Sequence, residues 1–375
     1  MVAGEASSDQ LAAHLIKALK QHLPDAKFFG IGGPKMQSAG FDAWWPSEKL
    51  SVRGYAEVLK HYREISGIRT QLFKRLLKEK PDVFIGVDGS DFNLGLEKRL
   101  KHNGIPAIQF VSPSIWAWRR SRINKIVDSV NHILALYPFE PALYEGTSVK
   151  CTYVGHPLAD VIPLGMSKAR VREQLEIAQD KMVVALLPGS RQSELHYMAA
   201  TYIETAKLLL ARFPGIHFLV PLVSRETRYQ FELARWEQGG DELPMTLMFG
   251  HAQEAIAASD MTLVASGTAT LETALVGRPM VIAYKMSRWS WAMMRRMGYL
   301  PWVGLPNILA ERFVVPEFLQ DDATPENLAQ AVGNLLQDPQ MQREVTRVFD
   351  GIHRQLQQNT ADKAAAALLP YLQPA

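Results

Sequence analysis

The chain has 375 residues, 47% hydrophobic and 21% charged, with 41 Lys and Arg against 38 Asp and Glu. That composition excludes disorder, collagen-like repeats and bulk nucleic-acid binding, and the length suits two domains of ~100–200 residues each. A single cysteine, Cys151, excludes an intrachain disulfide and points to a reducing compartment.

The first residues, Met1-Val2-Ala3-Gly4, read as the last half of a strand, so a few residues are expected to be missing ahead of them. No basic stretch precedes Glu5, so no secretion signal is expected. Leu11, Leu15 and Leu19 recur every four residues and predict a helix over 9–23. Residues 27–32, 82–88, 107–111 and 132–137 are short apolar runs punctuated by Gly, Asp or Pro, the pattern of buried parallel strands. The rhythm pauses near 160–178, which predicts a linker, and resumes with strands at 182–190, 217–223, 261–267 and 279–284. Thr324 caps a further helix with Pro325 at its first position and Leu328, Val332, Leu335 and Leu336 on one face. This strand–helix alternation predicts an α/β protein with two doubly wound Rossmann-like domains facing a cleft. The expected domains are 1–163 and 164–339, with a C-terminal helix over 340–375 packing back on the first. No apolar run reaches the ~20 residues of a membrane span. The longest uncharged candidate, 297–310, is broken by Gly298, Pro301, Gly304 and Pro306.

In open α/β sheets, ligands sit beyond the carboxyl ends of the strands. Four strand ends carry suggestive residues. At 3–9, Gly4 allows close backbone approach, and the helix that follows offers an anion site or merely takes an Asp or Ser cap. At 88–93, Asp88, Asp91 and Asn93 gather two carboxylates and an amide. Asp88 is expected to point into the cleft as general base, while Asp91 reads equally well as the cap of a helix beginning at Phe92. No third ligand accompanies the pair, which argues against a metal site. His14 belongs to the first helix, away from the cleft, and His156 sits at the linker, so both are weaker candidates for the base. At 187–194, a strand runs into Gly189-Ser190-Arg191, where free backbone N–H groups and a guanidinium fork suit a diphosphate. The P-loop Lys-Ser/Thr is absent, so ATP hydrolysis is not indicated. At 266–272, Ser266, Gly267 and Thr268 open another helix N-terminus, and Glu272 is placed to grip ribose hydroxyls or simply to favour the helix.

Three stretches mix basic and apolar side chains: 60–80, 114–125 (Trp116, Trp118, Arg119, Arg120, Arg122) and 285–301 (Trp289, Trp291). Each alone reads as core plus a solvated face; together they suggest a greasy anionic substrate or an anionic bilayer.

With VAGEASSD (2–9), DVFIGVDGSDFN (82–93), QFVSPSIWAWRRSR (109–122), VGHPLAD (154–160), LLPGSRQSE (186–194), ASGTATLE (265–272) and LPNILA (305–310), the chain resembles the lipid-A-disaccharide synthases over nearly its whole length. The family's first loop usually reads G-E-x-S-G-D, and Ser8 stands here in place of the second glycine. The resemblance implies the glycosyltransferase-B fold, UDP held mainly by the second domain, and no metal or other cofactor. It implies transfer of 2,3-diacylglucosamine from UDP-2,3-diacylglucosamine to the 6-hydroxyl of 2,3-diacylglucosamine 1-phosphate. An α-linked donor and β-linked product mean inversion by single displacement. Asp88 and Arg191 become the expected catalytic pair. Gly189, Ser190, Arg191, Ser266, Gly267, Thr268, Glu272 and Asn307 are expected around UDP, and Glu5, Ser7, Asp91, Asn93 and Trp116 on the acceptor or sugar side. Both substrates carry acyl chains, so the expected place of work is the inner leaflet of the cytoplasmic membrane. The anionic surface would be met by 57–77, where Ile65, Ile68, Leu72 and Leu76 share a helix side ringed by Lys60, Arg63, Arg69, Lys74 and Arg75. If that side packs on the sheet instead, 285–302 is expected to line an acyl-chain groove. No nucleic-acid partner is expected, and oligomerisation is left open. A UDP-sugar 2-epimerase of the same fold would need no acyl-chain surface, and a mere membrane-binding module would not need Asp88, Arg191 and Glu272.

Overall fold

The computed structural model describes residues 1–50, 55–117, 120–298 and 300–372, with side chains described except at 55–62, 120 and 297. Lys60, Trp118, Arg119 and the Arg120 side chain therefore lie outside the described residues. The chain forms two compact units, Met1–Asp160 with Leu356–Ala375, and Val161–Gln355.

The first unit is built on seven parallel strands: β1 (Val2–Ala3), β2 (Phe28–Gly32), β3 (Phe41–Pro46), β4 (Phe84–Val87), β5 (Ala107–Phe110), β6 (His132–Ala135) and β7 (Lys150–Tyr153). Their order is β3-β2-β1-β4-β5-β6-β7. β4, β5 and β6 are buried along their whole length, as strands covered on both faces must be. On one face, the helix Ala6–His22 packs Leu11, Leu15 and Leu19 against Ile85, Val87 and Ile108. On the other, the helix Tyr55–Glu79 buries Ile68, Leu72 and Leu76 with Val2, Ile31 and Phe84. That burial corrects the membrane reading of 57–77: three of its four apolar side chains belong to the core. At about 1.5–3 kcal/mol each, they stabilise the fold rather than a bilayer contact. The Arg75 guanidinium lies 3.7 Å over the Trp44 ring, so one of the surrounding cations also serves the fold.

The second unit has six parallel strands: β8 (Val183–Leu187), β9 (His217–Leu222), β10 (Met245–Phe249), β11 (Met261–Ala265), β12 (Met280–Tyr284) and β13 (Glu317–Leu319), in the order β10-β9-β8-β11-β12-β13. The expected linker is not free chain. Its helix Lys168–Gln174 belongs to this unit, and Arg172, buried, donates to the carbonyls of Ala258 and Gln179 and pairs with Asp260 at 2.9 Å.

The expected single helix over 340–375 is two. Pro339–Leu356 lies almost wholly in the second unit, while Thr360–Leu372 packs Ala364, Ala365 and Leu368 into the first unit's core beside the helix Ala6–His22. Asp160 ties the returning chain down by accepting the N–H groups of Gln358 (3.1 Å), Asn359 (3.0 Å) and Thr360 (2.7 Å). A carboxylate against a helix N-terminus satisfies donors that have no partner within the helix. Among the described residues, no helix is long and apolar enough to cross a membrane.

Candidate active site

β4 ends at Val87, and the chain turns at Asp88 and Gly89, both left-handed with φ of 55° and 50°, into the helix Ser90–His102. A non-glycine residue rarely takes this conformation, and the surroundings hold it. The Asp88 N–H donates to Phe110 O at 2.8 Å, and the Asp88 carbonyl accepts from Asn93 Nδ2 and Gln109 Nε2, both at 2.9 Å. Asp88 thereby stands at the carboxyl end of the sheet in a cavity of about 470 Å³, shared with Glu5, Asp91, Asn93 and Arg69. Its pKa is raised, mainly because the cavity desolvates the carboxylate. The Gly89 N–H opposes the rise, and the negative charge of Glu5 adds to it. Asp88 nonetheless remains exposed, so a substrate hydroxyl can reach the carboxylate, and the direction of the shift makes it a better base.

Glu5 caps the helix Ala6–His22 and is exposed. Ser8 Oγ accepts the Glu5 N–H at 3.0 Å and donates to the Glu5 carbonyl at 2.9 Å. The serine that replaces the family's glycine thus sits in the helix's first turn, where no left-handed backbone is required. Asp9, buried, turns away from the cavity and accepts the N–H groups of Gly33, Lys35 and Met36. Asp91 is not a cap: the helix starts at Ser90 behind Gly89, and the exposed Asp91 carboxylate pairs with Arg122 at 2.8 Å. Asn93 is buried and its Nδ2 donates to the Asp88 carbonyl. Ser7 is exposed outside the cavity. Trp116 also lies elsewhere, packed edge-on against Tyr137 and Phe139 with ring centroids 5.9 and 5.4 Å away. His156 is buried on Tyr137, its pKa lowered to about 4 by burial, and neither it nor His14 lines the cavity.

In the second unit, β8 and β11 are neighbours with Leu187 opposite Val264, so their following loops emerge side by side. They line another cavity of about 470 Å³ holding Gly189, Ser190, Arg191, Ser266, Gly267, Thr268 and Glu272. Gly189 has φ 129°, and a Cβ there would lie 2.5 Å from Glu194 Cβ, so both conformation and space require glycine. The helix Thr268–Val276 begins without a side-chain cap, which leaves its first N–H groups for an anion. Glu272 is half-buried; desolvation raises its pKa, against a hydrogen bond from Gln253. One expectation needs correction. The N–H groups of Ser190 and Arg191 are not free: Glu194 Oε2 accepts both, at 2.8 and 3.2 Å, and its Oε1 pairs with Arg191 Nη1 at 3.0 Å. Glu194 stands three residues beyond the cap position, the spacing of a capping box. The Arg191 side chain is nonetheless 72% exposed and can turn to a ligand.

Asn307 does not join this cavity. It is fully buried; its Nδ2 donates to Val315 O (2.9 Å) and Glu317 Oε1 (2.8 Å), and its Oδ1 accepts from Val314 and Val315 N–H. With both ends of the amide used, it fastens the chain leading into β13. Arg69 and Tyr284 line the two cavities without having been singled out for them. Arg69 belongs to the basic stretch assigned to a membrane, and Tyr284 merely ends a strand. Among the described residues, no group of three or more His, Cys, Asp or Glu side chains is placed to hold a metal ion.

Known proteins share this sequence and this fold. The family described as lipid-A-disaccharide synthetase matches residues 1–368. The chain is 62% identical to the lipid-A-disaccharide synthase of Dechloromonas aromatica over 99% of its length and 98% of the relative's. It is 60% identical to that of Aromatoleum aromaticum, covering 99% and 95% of the two chains. Solved structures share the fold at low identity. The glycotransferase of kitacinnamycin superposes with a TM-score of 0.63 at 16% identity, covering 98% of this chain and 97% of that one. The Anabaena protein HepE, solved with UDP and glucose, has a TM-score of 0.58 at 13% identity, with coverage of 99% and 98%. The two sheets are those of a glycosyltransferase-B fold. With a family match across all but the last seven residues and relatives at 60% identity or more over nearly full length, the chain belongs to the lipid-A-disaccharide synthase family.

Proposed function

We propose that Asp88 is the general base of the family's reaction, and that the loops at 189–191 and 266–268 with Glu272 hold UDP. The reaction moves 2,3-diacylglucosamine from UDP to the 6-hydroxyl of 2,3-diacylglucosamine 1-phosphate, forming the β-1,6-linked disaccharide 1-phosphate and UDP with inversion. The attacking hydroxyl must lose its proton, and the observation that carries the assignment is the left-handed Asp88, held with a raised pKa in its cavity. On the donor side, Arg191 and the uncapped helix terminus at Thr268 offset the charge growing on the departing diphosphate. Asn93 and Asn307 position backbone rather than touch substrate.

The test is turnover of the two lipid substrates, read as UDP and a four-chain disaccharide. Asp88→Asn should lower kcat by ~10²–10⁴ while competitive inhibition by UDP persists. A near-normal kcat removes Asp88 from the role. Action on water-soluble UDP-GlcNAc alone would instead support the epimerase reading.

The work is proposed to take place on the cytoplasmic face of an anionic membrane, because chains contributing ~0.8 kcal/mol per buried CH₂ do not leave a bilayer freely. With 57–77 committed to the core, the helix Arg288–Met297 becomes the contact: Trp289 is 89% and Met293 51% exposed, beside exposed Arg288, Arg295 and Arg296. Trp289→Ser/Met293→Ser should reduce co-sedimentation with anionic vesicles at low salt; unchanged pelleting places the contact elsewhere.

A further inference from the structure

Beneath the Asp88 turn lies a buried polar cluster that the reaction does not use directly. Asn93 and Glu97, one helical turn apart on Ser90–His102, face β4 and β5, where Gly86 and Gln109 are register partners. Asn93 is 1% exposed, and Glu97 and Gln109 are wholly buried. A Cβ on Gly86 would collide with Glu97 Oε1 and sit 2.9 Å from Gln109 Oε1, so these two oxygens converge above the glycine. Gln109 Nε2 donates to the carbonyls of Asp88 (2.9 Å) and Val111 (3.2 Å), two non-glycine residues with positive φ. Its Oε1 accepts from no protein group, Asn93 Oδ1 likewise, and both Glu97 oxygens are unpartnered.

We infer that Glu97 is a protonated acid that donates to Gln109 Oε1 and so positions the catalytic Asp88. Convergent oxygens with no donor between them repel; a proton on one turns the contact into a hydrogen bond. That bond fixes the Gln109 amide with its NH₂ toward Asp88 and Val111. An ionised Glu97 would draw the NH₂ to itself and release both carbonyls. Burial also pushes the Glu97 pKa well above the usual carboxylate range. Glu97 touches no substrate and acts through Gln109.

This role rests on Asp88 being the base, and the test separates the two. In the full-length enzyme, Glu97→Gln, whose amide still donates, should keep kcat within about threefold of wild type. Glu97→Leu should lower kcat about tenfold or more, with the KM for the UDP-sugar donor unchanged. The infrared difference spectrum of wild type minus Glu97→Gln at neutral pH should show the C=O band of a protonated acid. That measurement stands even if the leucine variant fails to fold. A folded Glu97→Gln as impaired as Glu97→Leu, a fully active Glu97→Leu, or the absence of the band overturns the inference. If Asp88→Asn keeps its kcat, the base assignment fails, whatever the infrared result says of the Glu97 proton.

Discussion

Replacing Asp9 by alanine removes the acceptor from three backbone N–H groups, those of Gly33 at 2.8 Å, Lys35 at 3.0 Å and Met36 at 3.1 Å. Lys35 is exposed and finds water, but Gly33 and Met36 are buried. Each orphaned buried donor costs about 1–3 kcal/mol, so the two in Asp9→Ala should cost roughly 2–6 kcal/mol. At about 2–4 °C per kcal/mol for a domain of this size, the first unit's melting temperature should fall by roughly 10 °C. Asp9→Asn discriminates further. Oδ1 alone serves both Gly33 and Met36, and the asparagine keeps it; only the contact to exposed Lys35 is lost. Its penalty should be less than half that of alanine. The assay is calorimetry of the three proteins, with kcat measured well below the lowest transition. Two variants that melt like wild type but have lost kcat would refute the reasoning and put Asp9 on the substrate.

Glu5→Gln removes a negative neighbour that helps raise the Asp88 pKa. The base works only when deprotonated, so activity is present above its folded pKa and lost as pH falls through it. The acidic limb of kcat/KM should therefore move to lower pH in Glu5→Gln; no movement, or an upward one, contradicts the coupling. Gly189→Ala forces a Cβ against Glu194 and strains a φ of 129°, so inhibition by UDP should weaken by at least about tenfold; unchanged inhibition removes the 189–191 loop from the UDP site. Ile68→Ser/Leu72→Ser should cost about 2–5 kcal/mol per site and lower the melting temperature with or without vesicles. A double variant that melts normally but no longer pellets with anionic vesicles would return this helix side to the membrane.

Eight of the nine internal strands, at 27–32, 82–88, 107–111, 132–137, 182–190, 217–223, 261–267 and 279–284, were legible because burial on both faces leaves an uninterrupted apolar run, and the ninth, β1, showed in Met1-Val2-Ala3-Gly4. Those that escaped, β3, β7, β10 and β13, are the four sheet edges. FDAWWP, KCTY, MTLMF and EFL are partly solvated, and all but the apolar MTLMF are mixed or very short, so they carry no such signal. The candidate cavities were legible for a related reason. Strand ends punctuated by Gly, Ser and Asp lead into helices, and chemistry gathers there. What stayed hidden were polar side chains whose partners are remote in sequence. Nothing in LPNILA shows that Asn307 is claimed by Glu317, and nothing in SDFNLGLEKRLKH separates buried Glu97 from a surface acid on an amphipathic helix. The misreading of 57–77 has the same origin: an apolar stripe ringed by cations is the same pattern whether it faces a bilayer or a sheet.

Because Ala364, Ala365 and Leu368 complete the core begun by Leu11, Leu15 and Leu19, the order of synthesis is not the order of assembly. The ribosome finishes residue 160 and then makes all of the second unit before the helix Thr360–Leu372 emerges. At ~5–20 residues per second, the amino-terminal sheet waits roughly 10–40 s for its last helix, while the segment made later can fold first. A ribosome stall within the codons for the helix Thr360–Leu372 would thus damage the unit translated earlier and leave the later-made unit intact.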